Sequence, residues 1–189
     1  MEYDKQPELF FEALLEMKAA KLTFQVTLLG DDFAKSAGSL QEAQEQLADH
    51  IVHAGYLESA LDYQNLLLSG RMDVVVSTAL HEFQGLAILE ATLAGIFPLC
   101  PYRLAYPEYL PPECLYKTDA QFKKKLRYFA KNPSHLRHTS EHDIRQRLFE
   151  TQPSTSQRLS PSEYRWSILQ SQYRTHLKLG TASPLPTTM

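Results

Sequence analysis

One stretch of the chain, residues 73–98 (DVVVSTALHEFQGLAILEATLAGIFP), places the tightest constraint on the fold. Its first five residues form a β-branched apolar run, the pattern of a strand that is buried on both faces of a parallel sheet. A polar loop follows, and from Leu86 apolar side chains recur at helical spacing until Gly95, which stands where a helix C-cap glycine belongs. A loop from the carboxyl end of a parallel strand into a helix N-terminus is where open α/β sheets bind ligands. Because the N–H groups of that first turn are unpaired and the helix dipole favours anions, we expect a phosphate there.

The same alternation of strands and helices extends along the chain. Apolar runs predict strands at residues 22–29, 50–54, 73–77 and 97–100, and apolar periodicity predicts helices at 7–20, 39–49 and 59–69. Short connections between such elements require right-handed crossovers and a parallel sheet. The five prolines from Pro98 to Pro112 predict a loop, and Asp119 is the expected cap of a basic helix. The fold class is therefore α/β, with a Rossmann-like doubly wound parallel sheet.

Length, apolar content and cysteine count narrow the class of protein. We expect a domain at residues 1–150, a linker and a helix at 151–179, and a disordered tail at 180–189. No apolar run approaches the roughly 20 residues that a membrane span needs. The first residues lack a signal-peptide pattern, and two cysteines fit a reducing compartment. These features predict a cytoplasmic protein without membrane contact.

The net charge of −3 is unevenly distributed. Residues 1–118 hold 7 basic and 17 acidic side chains, a net charge of −10, whereas residues 119–189 hold 12 and 5, a net charge of +7. A basic segment of this kind is able to contact a nucleic-acid backbone. Solvated helix faces beside an acidic body give the same pattern, and we favour that interpretation.

The central stretch resembles the signature of retaining GT-B glycosyltransferases, in which two glutamates eight positions apart flank a glycine-containing loop. Here they are Glu82 and Glu90. A closer likeness, carried by MEYDKQPELF, VVVSTALHEFQGLAILEA and PLCPYRLAYPEYLP, is to the tRNA-queuosine mannosyltransferase family, of GT4 type. It covers roughly residues 1–150 and implies the C-terminal, donor-binding domain of a GT-B fold with a C-terminal helical extension. Residues 162–173 resemble the family's closing helix, and we expect the family's N-terminal domain as a missing partner.

The resemblance assigns roles to matching charged residues. It implies that Glu90 holds the nucleotide ribose hydroxyls, that Glu82 contacts donor-sugar hydroxyls, and that Lys5 neutralises the leaving diphosphate. His81 would donate to the sugar or the phosphate, or bond to backbone. The family's arginine upstream of this lysine would precede Met1, so we expect the fragment alone to be inactive. From the residues alone, the first glutamate could instead stabilise the helix dipole, and the second could lie on an exposed stripe.

The resemblance also assigns donor-binding residues. Backbone N–H groups of Gln84, Gly85 and Leu86 would face the diphosphate, where the helix N-terminus favours negative charge. Gly55 and Tyr56 follow the strand that edges the base pocket in the family.

The implied activity of the full-length protein is retaining hexosyl transfer, with mannose moving from GDP-mannose to queuosine in tRNA. No cofactor is expected besides this nucleotide-sugar donor. The chain has no aspartate-x-aspartate motif, so we predict no metal. His135, His138 and His142 are spaced for one helix face, for which a solvated surface is favoured over a metal site.

Two alternatives stay open at this point. The acceptor could be a glycan or a lipid rather than tRNA, because acceptor contacts belong mostly to the domain that is not in the chain. The chain could also be a non-catalytic module that captures a nucleotide or tRNA through its basic C-terminal part.

Overall fold

Residues 5–30, 39–134 and Leu136 are described by the structure, which is a computed structural model. The chain divides into two compact units, residues 1–152 and 153–189, and every described residue belongs to the first. The predicted C-terminal helical extension and the three spaced histidines lie outside the described residues.

Helices and strands alternate through the described part, as the sequence predicts. Five strands and six α-helices are described: α1 Pro7–Ala19, β1 Val26–Leu29, α2 Ser39–Gln46, β2 Ile51–Gly55, α3 Ala60–Leu68, β3 Val74–Val76, α4 Leu86–Leu93, β4 Phe97–Pro101, α5 Tyr106–Tyr109, β5 Leu115–Tyr116 and α6 Asp119–Lys131. Single 3₁₀ turns precede β2 (Ala48–His50) and β5 (Pro112–Cys114).

Every described strand pairing is parallel. β1 pairs with β2, with Leu29 opposite Gly55, and β4 lies between β3 and β5, with Val74 opposite Phe97. Within the described residues the hydrogen bonds form two sets of strands, β1–β2 and β3–β4–β5. Parallel strands joined through helices confirm the predicted α/β class.

The central strand, loop and helix form where the sequence predicts them. α4 ends in a Schellman motif, in which the N–H of Ile96 donates to the Ala91 carbonyl and that of Gly95 to the Thr92 carbonyl, both at 3.0 Å. Gly95 has φ +93°, a conformation that glycine adopts with little strain. The C-cap prediction is therefore confirmed, and β4 begins directly after it.

Three local predictions need correction. The first strand covers only Val26–Leu29, because the preceding residues lack a partner strand in the ladder. The proline-rich stretch contains a short helix, with Pro107 in its first turn, where a missing N–H costs nothing. Thr118, rather than Asp119, caps α6, since its hydroxyl accepts from the N–H of Gln121 at 3.2 Å.

The core lies where α1 and α6 meet the strands. Phe11 of α1 and Phe122 of α6 are both almost fully buried. At the rim of this contact Lys123 Nζ lies 2.7 Å from Glu16 and 3.1 Å from Glu12, and Arg127 lies 3.1 Å from Glu16. Part of the positive charge of α6 is thus paired with the acidic side of α1.

Candidate functional site

The loop between β3 and α4 is held by three tyrosines. The hydroxyl of Tyr106 lies 2.8 Å from the Ser77 hydroxyl, and Tyr116 donates to the Ser77 carbonyl at 3.0 Å. Tyr109 donates to the Gln84 carbonyl at 2.8 Å, at the other end of the loop. Burial raises the pKa of all three phenols, so they stay neutral donors. The loop is therefore fixed at both ends by side chains from α5 and β5.

Gly85 is the residue through which this loop enters α4. Its backbone is left-handed, at φ 67° and ψ 49°. A Cβ there would lie 2.8 Å from Cε1 of Tyr106 and 2.9 Å from the hydroxyl of Tyr109. Both the conformation and the space therefore require glycine.

Lys5 brings the start of the described chain to the same loop. Its Nζ lies 3.1 Å from Oε2 of Glu82, and its backbone carbonyl accepts from the buried Thr78 hydroxyl at 2.7 Å. The two charged side chains are 43% and 24% exposed, so both stay accessible to a ligand. The residue that the resemblance alone had singled out is thus in contact with the first signature glutamate.

The surroundings of Glu82 keep its carboxylate ionised at neutral pH. Burial raises its pKa, but the hydrogen bond from Lys5, the N–H groups of Gly85 and Gln84, and the lysine charge together lower it below the ordinary value of 4.5. A carboxylate of this kind accepts hydrogen bonds and balances a cation; it is not a proton donor near pH 7. Two of the N–H groups assigned to a diphosphate are here directed toward this carboxylate.

The lowered pKa of Glu82 predicts a specific pH dependence of stability. Because the folded-state pKa lies below the ordinary value of 4.5, the stabilisation is full above about pH 4.5 and is lost as the pH falls through the folded-state pKa. We expect the difference in unfolding free energy between the unaltered chain and Glu82→Gln to shrink from pH 5 to about pH 3. Urea unfolding across this range measures it.

The matched control is Glu58→Gln, which alters an exposed carboxylate outside the loop. Its effect on the unfolding free energy should stay within about 0.5 kcal/mol at every pH. If the difference in unfolding free energy between the unaltered chain and Glu82→Gln is constant from pH 7 to pH 3, the pKa of Glu82 is not lowered by folding.

Glu90, the second signature glutamate, lies half-buried on α4 and faces α3. Burial, the charge of this carboxylate and a hydrogen bond to it raise the pKa of Tyr63, so the phenol donates to the carboxylate. Sequence reasoning missed Tyr63, because nothing beyond its place in a predicted helix marked it. The contact orients the carboxylate in the C-terminal half of α4.

Of the other predicted site residues, His81, Leu86 and Tyr56 are exposed and Gly55 is half-buried. His81 lies within the loop and Leu86 is the first residue of α4, and Phe83 between them is 98% exposed. Gly55 and Tyr56 lie at the carboxyl end of β2, with Gly55 at φ +132°. No described contact joins these two residues to Lys5 or Glu82, so their predicted role in a base pocket stays a prediction.

Three further properties of the described part concern metal ligands, membrane spans and cysteines. No group of three or more histidine, cysteine, aspartate or glutamate side chains there is arranged to hold a metal ion. The described helices are also too short or too polar to cross a bilayer. Cys100 and Cys114 are both buried in the core, and neither takes part in a disulfide.

No protein-family model matches the chain. It is 39% identical over 132 residues to the tRNA-queuosine alpha-mannosyltransferase of Drosophila melanogaster, a match that covers 70% of this chain and 34% of that protein. The chain therefore spans about a third of the length of this curated relative.

Two solved structures that share the fold are glycosyltransferases. One is the catalytic domain of cholesterol-alpha-glucosyltransferase from Helicobacter pylori, with a TM-score of 0.56 and 16% identity over 79% of this chain and 91% of that one. Another is sucrose-phosphate synthase from Thermosynechococcus elongatus, with a TM-score of 0.62 and 15% identity over 95% of this chain and 44% of that one. At these identities the likeness shows the fold, which is the GT-B type that the resemblance implied. The chain thus belongs to the tRNA-queuosine mannosyltransferase family, and the matched segment covers about a third of the fly protein's length.

Proposed function

We propose that the chain is the donor-binding part of a retaining hexosyltransferase that moves mannose from GDP-mannose to queuosine in tRNA. The observation that carries the proposal is the contact of Lys5 with Glu82 on the loop that opens α4. It places a cation, a carboxylate and a helix N-terminus together at the carboxyl edge of β3, where open α/β sheets bind ligands.

The chemistry of this site suits a departing diphosphate. Breaking the sugar–phosphate bond leaves negative charge on the phosphate oxygens, which the Lys5 ammonium and the first-turn N–H groups of α4 would stabilise. Glu82, held ionised, would accept hydrogen bonds from the sugar hydroxyls and keep the lysine in place. Stabilisation by fixed charges would make a cofactor unnecessary.

Glu90 would hold the nucleotide end of the donor. Its carboxylate has room for several hydrogen bonds, and Tyr63 occupies one of them. The remaining acceptor positions would take the two ribose hydroxyls. Tyr63 would thus orient the carboxylate before the nucleotide arrives.

The mannosyl donor and the tRNA acceptor come from the name of the fly relative, which is about three times as long as the matched segment. We propose that a further domain of the full-length protein supplies the acceptor side of the cleft, that the protein acts in the cytoplasm, and that this chain alone binds the donor without turning it over.

Nucleotide titration tests the proposal directly. We expect calorimetry to show that the chain binds GDP in preference to UDP and ADP. Glu90→Gln should weaken GDP binding about ten-fold to hundred-fold, since each hydrogen bond to a charged acceptor is worth about 1.5–3 kcal/mol. Glu113→Gln, an exposed carboxylate beside β5, is the matched control and should leave the affinity unchanged.

The outcomes separate the parts of the proposal. A preference for UDP would keep the donor site and exclude GDP-mannose as the donor. Equal GDP affinity in the unaltered chain and Glu90→Gln would remove the ribose role of Glu90. Absence of binding to all three nucleotides would overturn the donor-site proposal.

A further inference from the structure

Arg103 lies on the loop that follows β4, next to the loop that carries the signature. We propose that its guanidinium is a second cation for the diphosphate of the nucleotide donor. This inference rests on the proposed function and deepens it, since it adds a binding residue to the same site.

The sheet places this arginine at the correct edge. β4 pairs in parallel with β3, so the loops that leave their carboxyl ends lie side by side. The N–H of Tyr102 donates to the Tyr116 carbonyl at 2.6 Å, and the Tyr116 hydroxyl in turn donates to the Ser77 carbonyl. Two successive hydrogen bonds therefore connect Tyr102, the residue before Arg103, to Ser77 of the signature loop.

A side-chain contact places Arg103 beside the lysine of the site. Its Nη2 donates to Oε1 of Gln6 at 3.5 Å, and Gln6 directly follows Lys5. Arg103 also acts on Tyr116: burial raises the pKa of this phenol, and the guanidinium charge opposes that shift. Both interactions put the guanidinium on the side of the loop where Lys5 and Gln6 lie.

The backbone on both sides of this contact is strained. Gln6 has φ 48° and Leu104 has φ 61°; among the described non-glycine residues only Lys21 shares such a positive φ. A left-handed conformation is unfavourable for an ordinary residue, so the surrounding structure must hold it in place. Strained residues of this kind cluster at ligand-binding sites, and here they directly follow Lys5 and Arg103 in the chain.

Several N–H donors of the Arg103 guanidinium have no described side-chain acceptor. Its one described side-chain bond is to a neutral amide, and no carboxylate in the described ranges lies within ion-pair distance. Lys5, in contrast, is already paired with Glu82. The three side chains together carry one net positive charge, and a planar guanidinium can bind two phosphate oxygens at once.

Comparing nucleotides with different numbers of phosphates tests this role. The unaltered chain, Arg103→Gln and Arg103→Lys are titrated with GDP, GMP and guanosine. We expect Arg103→Gln to weaken GDP binding about ten-fold, as expected for a lost charge-assisted contact, with little effect on guanosine. Arg103→Lys should restore part of the loss. The matched control is Arg71→Gln, an exposed arginine that precedes β3 at the opposite edge of the sheet.

Each outcome decides between the two proposals. If the unaltered chain binds GDP and Arg103→Gln binds it equally well, the arginine has no role and the donor site stands. If Arg103→Gln weakens guanosine as much as GDP, the residue acts on the fold rather than on phosphate, and the inference is wrong. If the unaltered chain binds no nucleotide, the donor site fails, and the role of Arg103 fails with it.

Discussion

Replacing Gly85 with alanine is expected to abolish nucleotide binding and to lower the free energy of unfolding by about 2–5 kcal/mol. The left-handed backbone of this residue disfavours any side chain, and a Cβ would overlap Cε1 of Tyr106 at 2.8 Å and the hydroxyl of Tyr109 at 2.9 Å. Because both tyrosines hold the signature loop, they cannot withdraw without releasing it. Urea unfolding and calorimetry with GDP measure the two effects.

Gly70 provides a control that separates the two causes. Its φ is also +67°, but nothing lies within 4 Å of a Cβ placed there. Gly70→Ala should therefore show the conformational cost alone, about 1–2 kcal/mol, with nucleotide binding retained. If Gly85→Ala and Gly70→Ala lower the free energy of unfolding equally, the overlap with Tyr106 and Tyr109 adds nothing to the loss of stability.

Truncating Phe122 to alanine is expected to cost about 3–5 kcal/mol of stability, the usual cost of emptying a buried phenylalanine site. Phe122 is fully buried, and its ring centroid lies 4.9 Å from that of Tyr116. Since Tyr116 holds the Ser77 carbonyl, we also expect the variant to bind nucleotide more weakly. Thermal or urea unfolding gives the first quantity, and titration below the unfolding transition gives the second.

Lys124→Ala is the matched change on the same helix, because this side chain is exposed. It should alter stability by no more than about 0.5 kcal/mol. A loss below about 1 kcal/mol for Phe122→Ala would mean that α6 does not pack as described.

The local parts of the fold could be read from the sequence because neighbouring residues determine them. The strand at Val74–Val76, the helix from Leu86 and the glycine after it each follow from periodicity and capping within a few positions. The errors are also local. Thr118 and Asp119 are both good capping residues, and choosing between them needs the backbone conformation.

The contacts that build the site could not be read in this way. Tyr106, Tyr109 and Tyr116 reach the signature loop from 25 to 39 positions further along the chain, and nothing in their spacing distinguishes them from ordinary core aromatics. Tyr63 meets Glu90 across two helices that only the fold brings together. The resemblance identified Lys5 as a site residue, and the structure shows that Glu82 is its ion-pair partner.

The ion pair between Lys5 and Glu82 joins residues 77 positions apart. Closing so long a loop is entropically costly, whereas β3 and α4 can form from near neighbours. We therefore expect the proposed donor site to form late in folding, when the first described residues dock on a loop that is synthesised long after them. A chain in which β3 and α4 have formed but Lys5 has not yet docked would have the signature loop without the ion pair. A nucleotide that contacts both Lys5 and the signature loop would bind only the completed fold and would stabilise it by mass action.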